Sequence, residues 1–204
     1  GLGFQNVHYF AAGATLFGDE AQGAYQYDGQ EYAGRNEHIT GFDTCLGCHS
    51  THQLEVKVEE CSACHNEVAA KEDLESIRMT DTDFDGDGDA AEGIAGEIET
   101  MSEVLYAAIL DYATNTVGTP IVYESHNYPY FFLDTNANGE PDADEAIYPN
   151  QYNAWTPRLL EAAYNYQYAQ KDPGAFAHNA PYVIQVLYDS IEDLGGDTSG
   201  MTRP

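Results

Sequence analysis

Apolar side chains in the second half of the chain recur at helical spacing. Between residues 98 and 112 they fall three and four positions apart, which predicts an amphipathic helix carrying Ile98, Met101, Val104, Leu105, Ala108, Ile109 and Tyr112. A second helix is predicted to start at Thr156 and Pro157, a hydroxyl cap followed by proline, and to run through "RLLEAAYNYQYAQ". A third helix, "APYVIQVLYDSIEDL", ends at Gly195 and Gly196.

The remaining segments show no such periodicity. Residues 1–44 are rich in glycine, tyrosine and short polar side chains, which predicts loops with one short helix. The stretch "KEDLESIRM" predicts another short helix, and the proline-punctuated "TPIVYESHNYPYFFLD" predicts extended chain. The expected fold class is therefore mainly α with extensive irregular loops.

Every cysteine lies in one stretch, "CLGCHSTHQLEVKVEECSACH", residues 45–65. Such thiols can form two disulfides, a zinc ribbon with two C-x-x-C pairs, or c-type haem attachment sites of the form C-x-x-C-H. Neither zinc nor a disulfide needs a histidine after each pair, whereas a haem uses that histidine as its proximal ligand. The pattern favours two haems c per chain, attached through Cys45, Cys48, Cys61 and Cys64 and ligated by His49 and His65.

The charge of the chain is strongly negative. Thirty-five acidic residues stand against 7 lysines and arginines, for a formal net charge of -28. Such a surface repels nucleic acid and anionic membranes, so neither is an expected partner, while cations, basic proteins and oxidised minerals remain compatible. No apolar run approaches the roughly 18 residues of a membrane span. No basic, apolar leader is present, so any secretion signal is expected to have been removed.

Part of the acidic charge follows a specific pattern. Residues 81–92, "DTDFDGDGDAAE", fit the calcium loop D-x-[DN]-x-[DN]-G-x5-E, with Gly86 at the sharp turn. The predicted ligands are Asp81, Asp83, Asp85, Asp87, Asp89 and Glu92. A solvated acidic surface would account for the charge, but not for a glycine at position six together with a glutamate at position twelve.

A second stretch, "DTNANGEPDADE", repeats the pattern over residues 134–145, with Gly139 at position six. The predicted ligands are Asp134, Asn136, Asn138, Glu140, Asp142 and Glu145. Both loops lack the apolar residue that pairs sister EF-hand loops at position eight, where Gly88 and Pro141 stand. We therefore expect two separate structural clips binding two calcium ions per chain, with weak affinities of about 10⁻⁴–10⁻³ M.

Two six-coordinate haems need two further axial ligands. The chain has only 3 methionines, and Met101 belongs to a predicted helix, so bis-histidine ligation is favoured. His52, three residues after a proximal histidine, would reach a neighbouring haem, and His178 stands at the threshold of the last helix. The candidates in order of preference are His52, His178, His8 and His38, with His126 left out. The surplus histidines would form hydrogen bonds, or ligate haems of another chain or of another part of the protein.

Four segments carry a family resemblance: "NVHYFAAGATLFG", "GFDTCLGCHSTHQLEVKVEECSACH", "NAWTPRLLEAAYNYQ" and "KDPGAFAHNAPYVIQVLYDSIEDL". Together they resemble the C-terminal region of secreted multihaem c-type cytochromes of metal-reducing bacteria, over nearly the whole chain. The resemblance implies an exported electron carrier whose longer relatives have additional C-x-x-C-H sites ahead of His8. This chain has none there. That difference fits a two-haem version or a missing N-terminal part. The surplus histidines fit a missing part, or a filament-like polymer in which a histidine of one subunit ligates a haem of the next.

These features predict an extracellular or periplasmic electron-transfer protein, and not an enzyme. Residues 1–70 are expected to form a dihaem segment and residues 71–204 a helical segment with two calcium loops, packed as one unit. Expected partners are other haem proteins, copies of the chain itself and an extracellular electron acceptor. One alternative is a multihaem oxyanion reductase with one open haem, although 7 basic residues provide little for binding anions. Another is a calcium-binding structural module with a zinc ribbon.

Overall fold

The computed structural model describes residues Gly1–Pro204, of which 41% are helical and 4% lie in strands. The α-helices are α1 (Ala12–Phe17), α2 (Cys45–Cys48), α3 (Val58–Cys61), α4 (Ile94–Asp111), α5 (Pro157–Gln170) and α6 (Ala175–Leu194). Short 3₁₀ segments lie at Gly18–Glu20, Lys71–Ser76 and Tyr148–Asn150, and a π-helical turn, Tyr112–Val117, continues α4. The prediction of a mainly helical protein with extensive loops is confirmed.

The core lies between α4, α5 and α6. The apolar stripe predicted for α4 faces inward, with Met101, Leu105 and Ile109 all fully buried. The N-terminal segment packs on the same core through Val7 and Ala11. Its backbone is tied to the end of α5, since the Val7 amide donates to the Gln167 side chain at 2.7 Å and the Ala11 amide to the Lys171 carbonyl at 2.8 Å.

The last helix is interrupted near its start. Asn179 has φ −169° and ψ 74°, which is not helical, and its side-chain oxygen accepts a hydrogen bond from the Tyr182 amide at 3.3 Å. Asn179 therefore acts as the cap of the longer helical part, in which Pro181 occupies an early position that needs no backbone donor. At the other end, Gly195 adopts φ 84°, the left-handed conformation common after a helix.

An antiparallel hairpin forms the small sheet. Strands β1 (Ile121–Tyr123) and β2 (Phe131–Leu133) pair with Ile121 opposite Leu133. The hairpin leads directly into the second acidic loop. No helix of the chain is both long enough and apolar enough to cross a membrane.

Helix α5 begins at the hydroxyl cap that the sequence indicated. The Thr156 Oγ1 atom accepts a hydrogen bond from the Leu159 amide at 3.2 Å, and Pro157 follows. We expect Thr156→Ala to lower the free energy of unfolding by about 1 kcal/mol, because the amide loses its acceptor. Chemical denaturation of the holoprotein measures the change. Thr156→Ser keeps a hydroxyl and should keep most of the stability, and an equal loss in both variants would contradict the capping role.

Candidate functional site

Each C-x-x-C-H motif folds around a single helical turn. The His49 amide donates to the Cys45 carbonyl at 2.7 Å, and the His65 amide donates to the Cys61 carbonyl at 2.9 Å. Residues three apart in such a turn lie on one face, so the two sulfurs of each motif project to the same side. This local geometry fits the attachment of one porphyrin edge to each motif.

The two motifs lie beside each other. A short hairpin connects them, closed by hydrogen bonds from the Ser50 amide to the Glu55 carbonyl at 2.9 Å and from the Lys57 amide to the Cys48 carbonyl at 2.8 Å. Burial and then the neighbouring thiol of Cys61 raise the pKa of Cys48. Groups attached at the two motifs would therefore be close neighbours.

Two pairs of histidine rings face each other across this segment. The ring centroids of His49 and His178 are 6.2 Å apart, and those of His38 and His65 are 6.3 Å apart. Two imidazoles on opposite sides of one metal, each with a metal–nitrogen bond of about 2 Å, would have centroids about 6 Å apart. Each proximal histidine thus has one partner at a separation that fits an iron atom between them.

Hydrogen bonds hold the Nδ1 side of two of these rings. The Nδ1 atom of His49 lies 2.8 Å from the Leu54 carbonyl oxygen, and that of His178 lies 2.8 Å and 3.0 Å from the two oxygens of Asp172. The Asp172 side chain is only 2% exposed. When both rings donate from Nδ1, the Nε2 atoms remain as ligands, which is how proteins commonly orient metal-binding histidines. Near His65, the Glu67 carboxylate is 3.6 Å from Nδ1.

The break in α6 positions the segment that carries His38 as well as His178. The Asn179 side chain donates to the Gly34 carbonyl at 2.8 Å, and the Asn36 side chain donates to the His178 carbonyl at 2.8 Å. Residues 34–38 are therefore fastened to the start of α6. One junction supports both of the histidines that face a proximal ligand.

The other histidines lie elsewhere on the surface. His52, which the sequence placed first among the candidates, is exposed in the turn after α2, and its ring faces no other histidine. His8 is exposed and packs edge-on against Tyr9 at 4.4 Å. His126, left out by the sequence argument, bonds to the neighbouring Glu124. The structure thus brings His178 and His38 to the proximal ligands, and does not bring His52 or His8.

The four cysteines form no disulfide, and their sulfurs do not converge on one point. A zinc ribbon would need all four within bonding distance of a single ion. The clusters of three or more metal-ligating groups in the chain are acidic: Asp83 with Asp85 and Glu97, and Asp85 with Asp87 and Glu92.

These acidic clusters only partly match the predicted first calcium loop. Asp83, Asp85, Asp87 and Glu92 belong to them, whereas Asp81 and Asp89 are exposed and lie outside. Burial, followed by repulsion from Asp85 and Glu97, raises the pKa of Glu92 to about 7. A bound cation would relieve this repulsion.

Glu97 is the member of the clusters that the sequence analysis missed. It is fully buried in the first turn of α4, and its Oε1 atom lies 2.6 Å from a guanidinium nitrogen of Arg78. The sequence feature that could have revealed Glu97 is a carboxylate on the apolar face of a predicted helix, beside Ile98 and Met101.

The second acidic loop folds around its own side chains. Asp134 and Glu145 are 6% and 2% exposed, and the Thr135 and Asn136 amides donate to the Glu145 carboxylate at 2.6 Å and 3.2 Å. Asp142 accepts hydrogen bonds from the Asn136 and Asn138 side chains. The Glu140 amide donates to the Asn138 side chain at 2.8 Å.

Comparison with known proteins finds relatives among cytochromes. Over 94% of its length the chain aligns with the C-type polyheme cytochrome OmcB of Geobacter sulfurreducens, at 29% identity over 213 residues. The C-type polyheme cytochrome OmcC of the same organism is 28% identical over 227 residues. The chain is homologous to polyhaem c-type cytochromes. The homologous part is their C-terminal region, and the chain spans only 27% of OmcB and 26% of OmcC.

Homology to the polyhaem cytochromes supports a cytochrome-related role and, among the three kinds of site open to the cysteine motifs, favours haem. No family model matches the chain, and no solved structure matches it.

Proposed function

We propose that this chain relays electrons between two closely spaced haems c. One would be attached at Cys45 and Cys48, with His49 and His178 as axial ligands. The other would be attached at Cys61 and Cys64, with His65 and His38 as axial ligands. The observation that carries the proposal is the pair of ring separations, 6.2 Å and 6.3 Å, each joining a proximal histidine to one from a distant part of the chain.

The protein's part in this function is attachment, orientation and tuning. Haem supplies the one-electron chemistry, while the protein sets its potential through axial ligation, hydrogen bonding and burial. Two imidazoles keep the potential lower than a histidine–methionine pair would. The buried carboxylate of Asp172 makes His178 a stronger electron donor to a metal and lowers the potential further.

The same proposal gives the acidic half a structural role. Residues 1–70 carry the haem ligands except His178, and residues 71–204 contribute the helices and the two acidic loops. We propose that the loops bind two calcium ions, which neutralise part of the net charge of -28. The ions would fasten α4 and the hairpin, and with them the core on which His178 rests.

Exposed aromatic groups support contact with another haem-bearing unit. Tyr9 and Phe10, next to the exposed His8, are each 78% exposed. His8 and His52 are themselves exposed, and both are therefore accessible to a haem of a second copy or of another haem protein, as a polymeric conduit would require. We place this activity in the periplasm or outside the cell, with an extracellular acceptor as the final partner.

The first test is to count haem per chain and to record absorption spectra of the oxidised and dithionite-reduced holoprotein. We expect two haems, both low-spin. Two exposed histidines flanking the first motif provide a matched pair of variants. His38→Gln should convert one of the two haems to high-spin, and His52→Gln should leave both low-spin.

The opposite pattern, with His52→Gln producing the high-spin haem, would overturn the ligand assignment. A high-spin haem in the unmodified protein that shifts on adding nitrite would favour the reductase. Absence of any Soret absorption would rule out haem.

A further inference from the structure

The two acidic loops share one hydrogen-bond pattern, but not in the register that the sequence motif suggests. In the second loop the Gly139 amide donates to Asp134 at 2.8 Å. In the first loop the corresponding bond runs from the Gly88 amide to Asp83 at 2.9 Å. Asp83, and not Asp81, therefore takes the place of Asp134.

The rest of the backbone follows the same register. In the first loop the Asp87 amide donates to the Asp85 side chain, and the Asp89 amide donates to the Asp87 side chain. The equivalent bonds in the second loop run from the Asn138 amide to Asn136 and from the Glu140 amide to Asn138. The left-handed residues of the two loops also correspond in this register. Gly88 has φ 95° and its counterpart Gly139 has φ 80°, while Gly86 has φ 81° and its counterpart Ala137 has φ 58°. Gly88 is thus the sharp-turn glycine of the first loop.

The carboxylate that ends the loop is also displaced. In the second loop Glu145 accepts hydrogen bonds from the Thr135 and Asn136 amides. In the first loop the equivalent amides, those of Phe84 and Asp85, both donate at 2.8 Å to Glu97. Glu97 lies further along the chain than a twelve-residue loop allows, already inside α4. The first loop therefore contains inserted residues and ends on a helix.

Glu92 takes a different place from the one its motif position predicts. Its carboxylate lies with those of Asp85 and Asp87, as Asp142 lies beside Asn136 and Asn138 in the second loop. A side chain at Gly96 would collide with the Glu92 carboxylate, so glycine leaves room for Glu92 over the first turn of α4. Glu92 thus faces the middle of the loop and does not terminate it.

One buried atom indicates that this cluster is built for a ligand. Asp85 is only 6% exposed, and its Oδ2 atom accepts no hydrogen bond. Asp85 contributes a ligand atom within 4.8 Å of those of Asp83 and Glu97. A buried carboxylate oxygen without a partner is costly, and a cation held by the same cluster would remove that cost.

From these observations we propose that a calcium ion in the first loop is held by Asp83, Asp85, Asp87, Glu92 and Glu97, with the Asp89 carbonyl, and not by Asp81. The inference rests on the proposed calcium binding and is independent of the haems. Hard oxygen donors of this number suit calcium. Because Glu97 belongs to α4, the ion would join the loop directly to a core helix, and Arg78 would hold the Glu97 carboxylate in place.

The test is calorimetric titration of the chelator-treated holoprotein with CaCl₂. We expect two ions per chain for the unmodified protein. Glu97→Gln should weaken binding at one site by about 10–100-fold. Asp81→Asn should leave both affinities within about twofold, since the Asp81 side chain is not a ligand in this register. Glu145→Gln is the matched control for the second site.

The outcomes separate the two proposals. Two ions bound by the unmodified protein, with one lost on Asp81→Asn, would overturn the register and leave calcium binding intact. No calcium bound at all would overturn both. Because Asp81 is exposed, this variant decides the register even if Glu97→Gln fails to fold.

Discussion

His178→Met is expected to raise the midpoint potential of one haem by on the order of 0.1 V, a fraction of the about 0.8 V range that axial ligands span. The reason lies in the facing rings of His49 and His178, at 6.2 Å, and in the buried Asp172 that accepts from His178. A thioether is a weaker donor than this imidazole and stabilises the reduced iron. Spectroelectrochemical titration of the holoprotein measures both potentials.

The matched control is His52→Met, the same substitution at an exposed histidine of the haem segment. It should change neither potential. Asp172→Asn changes the group that accepts a hydrogen bond from His178 Nδ1. It should raise the potential of the same haem by less than His178→Met does, without converting that haem to high-spin. Equal shifts in the His52 and His178 variants, or none in either, would contradict the assignment of His178.

Arg78→Met is expected to lower the free energy of unfolding in calcium-free solution by about 3–5 kcal/mol. The Arg78 guanidinium, 9% exposed, lies 2.6 Å from the fully buried carboxylate of Glu97 and donates to the Thr80, Thr82 and Glu92 carbonyls. Removing it leaves the buried charge of Glu97 without its cationic partner, which costs more than the ion pair itself contributes. Chemical denaturation of the chelator-treated holoprotein measures the loss.

Arg158→Met provides the control. Arg158 pairs with Asp193 at 3.1 Å, but its side chain is 54% exposed, and such surface pairs contribute about 0–1 kcal/mol. Saturating calcium should reduce the cost of Arg78→Met, because the cation also neutralises Glu97, and should not change that of Arg158→Met. If the two variants lose the same stability without calcium, Glu97 does not depend on Arg78.

The bonds that join these groups run between segments far apart in the chain. Asn36 and Asn179 fasten the loop before the first motif to the break in α6, and Arg78 fastens the segment before the first acidic loop to α4. The proposed electron-transfer site therefore depends on α6 and the proposed calcium site on α4, and these two helices share the buried core. A change in that core should reach both sites.

By itself the sequence determined the features that local chemistry specifies. The C-x-x-C-H motifs predict the haem attachment, helical periodicity and the Thr156 cap define α4 and α5, and Gly195 ends α6, because each depends on residues within one or two turns. The antiparallel pairing of β1 and β2 was not predicted beyond extended chain, since pairing depends on a partner strand.

Tertiary structure alone decided which distant groups meet. His178 and His38 face the proximal ligands and His52 does not, because the break in α6 presents one histidine and fastens the segment that carries the other. The repeated aspartates fit the first six positions of the calcium motif both from Asp81 and from Asp83. The buried position of Glu97, packed against Arg78, distinguishes these registers, because it fixes which backbone amides a carboxylate can reach.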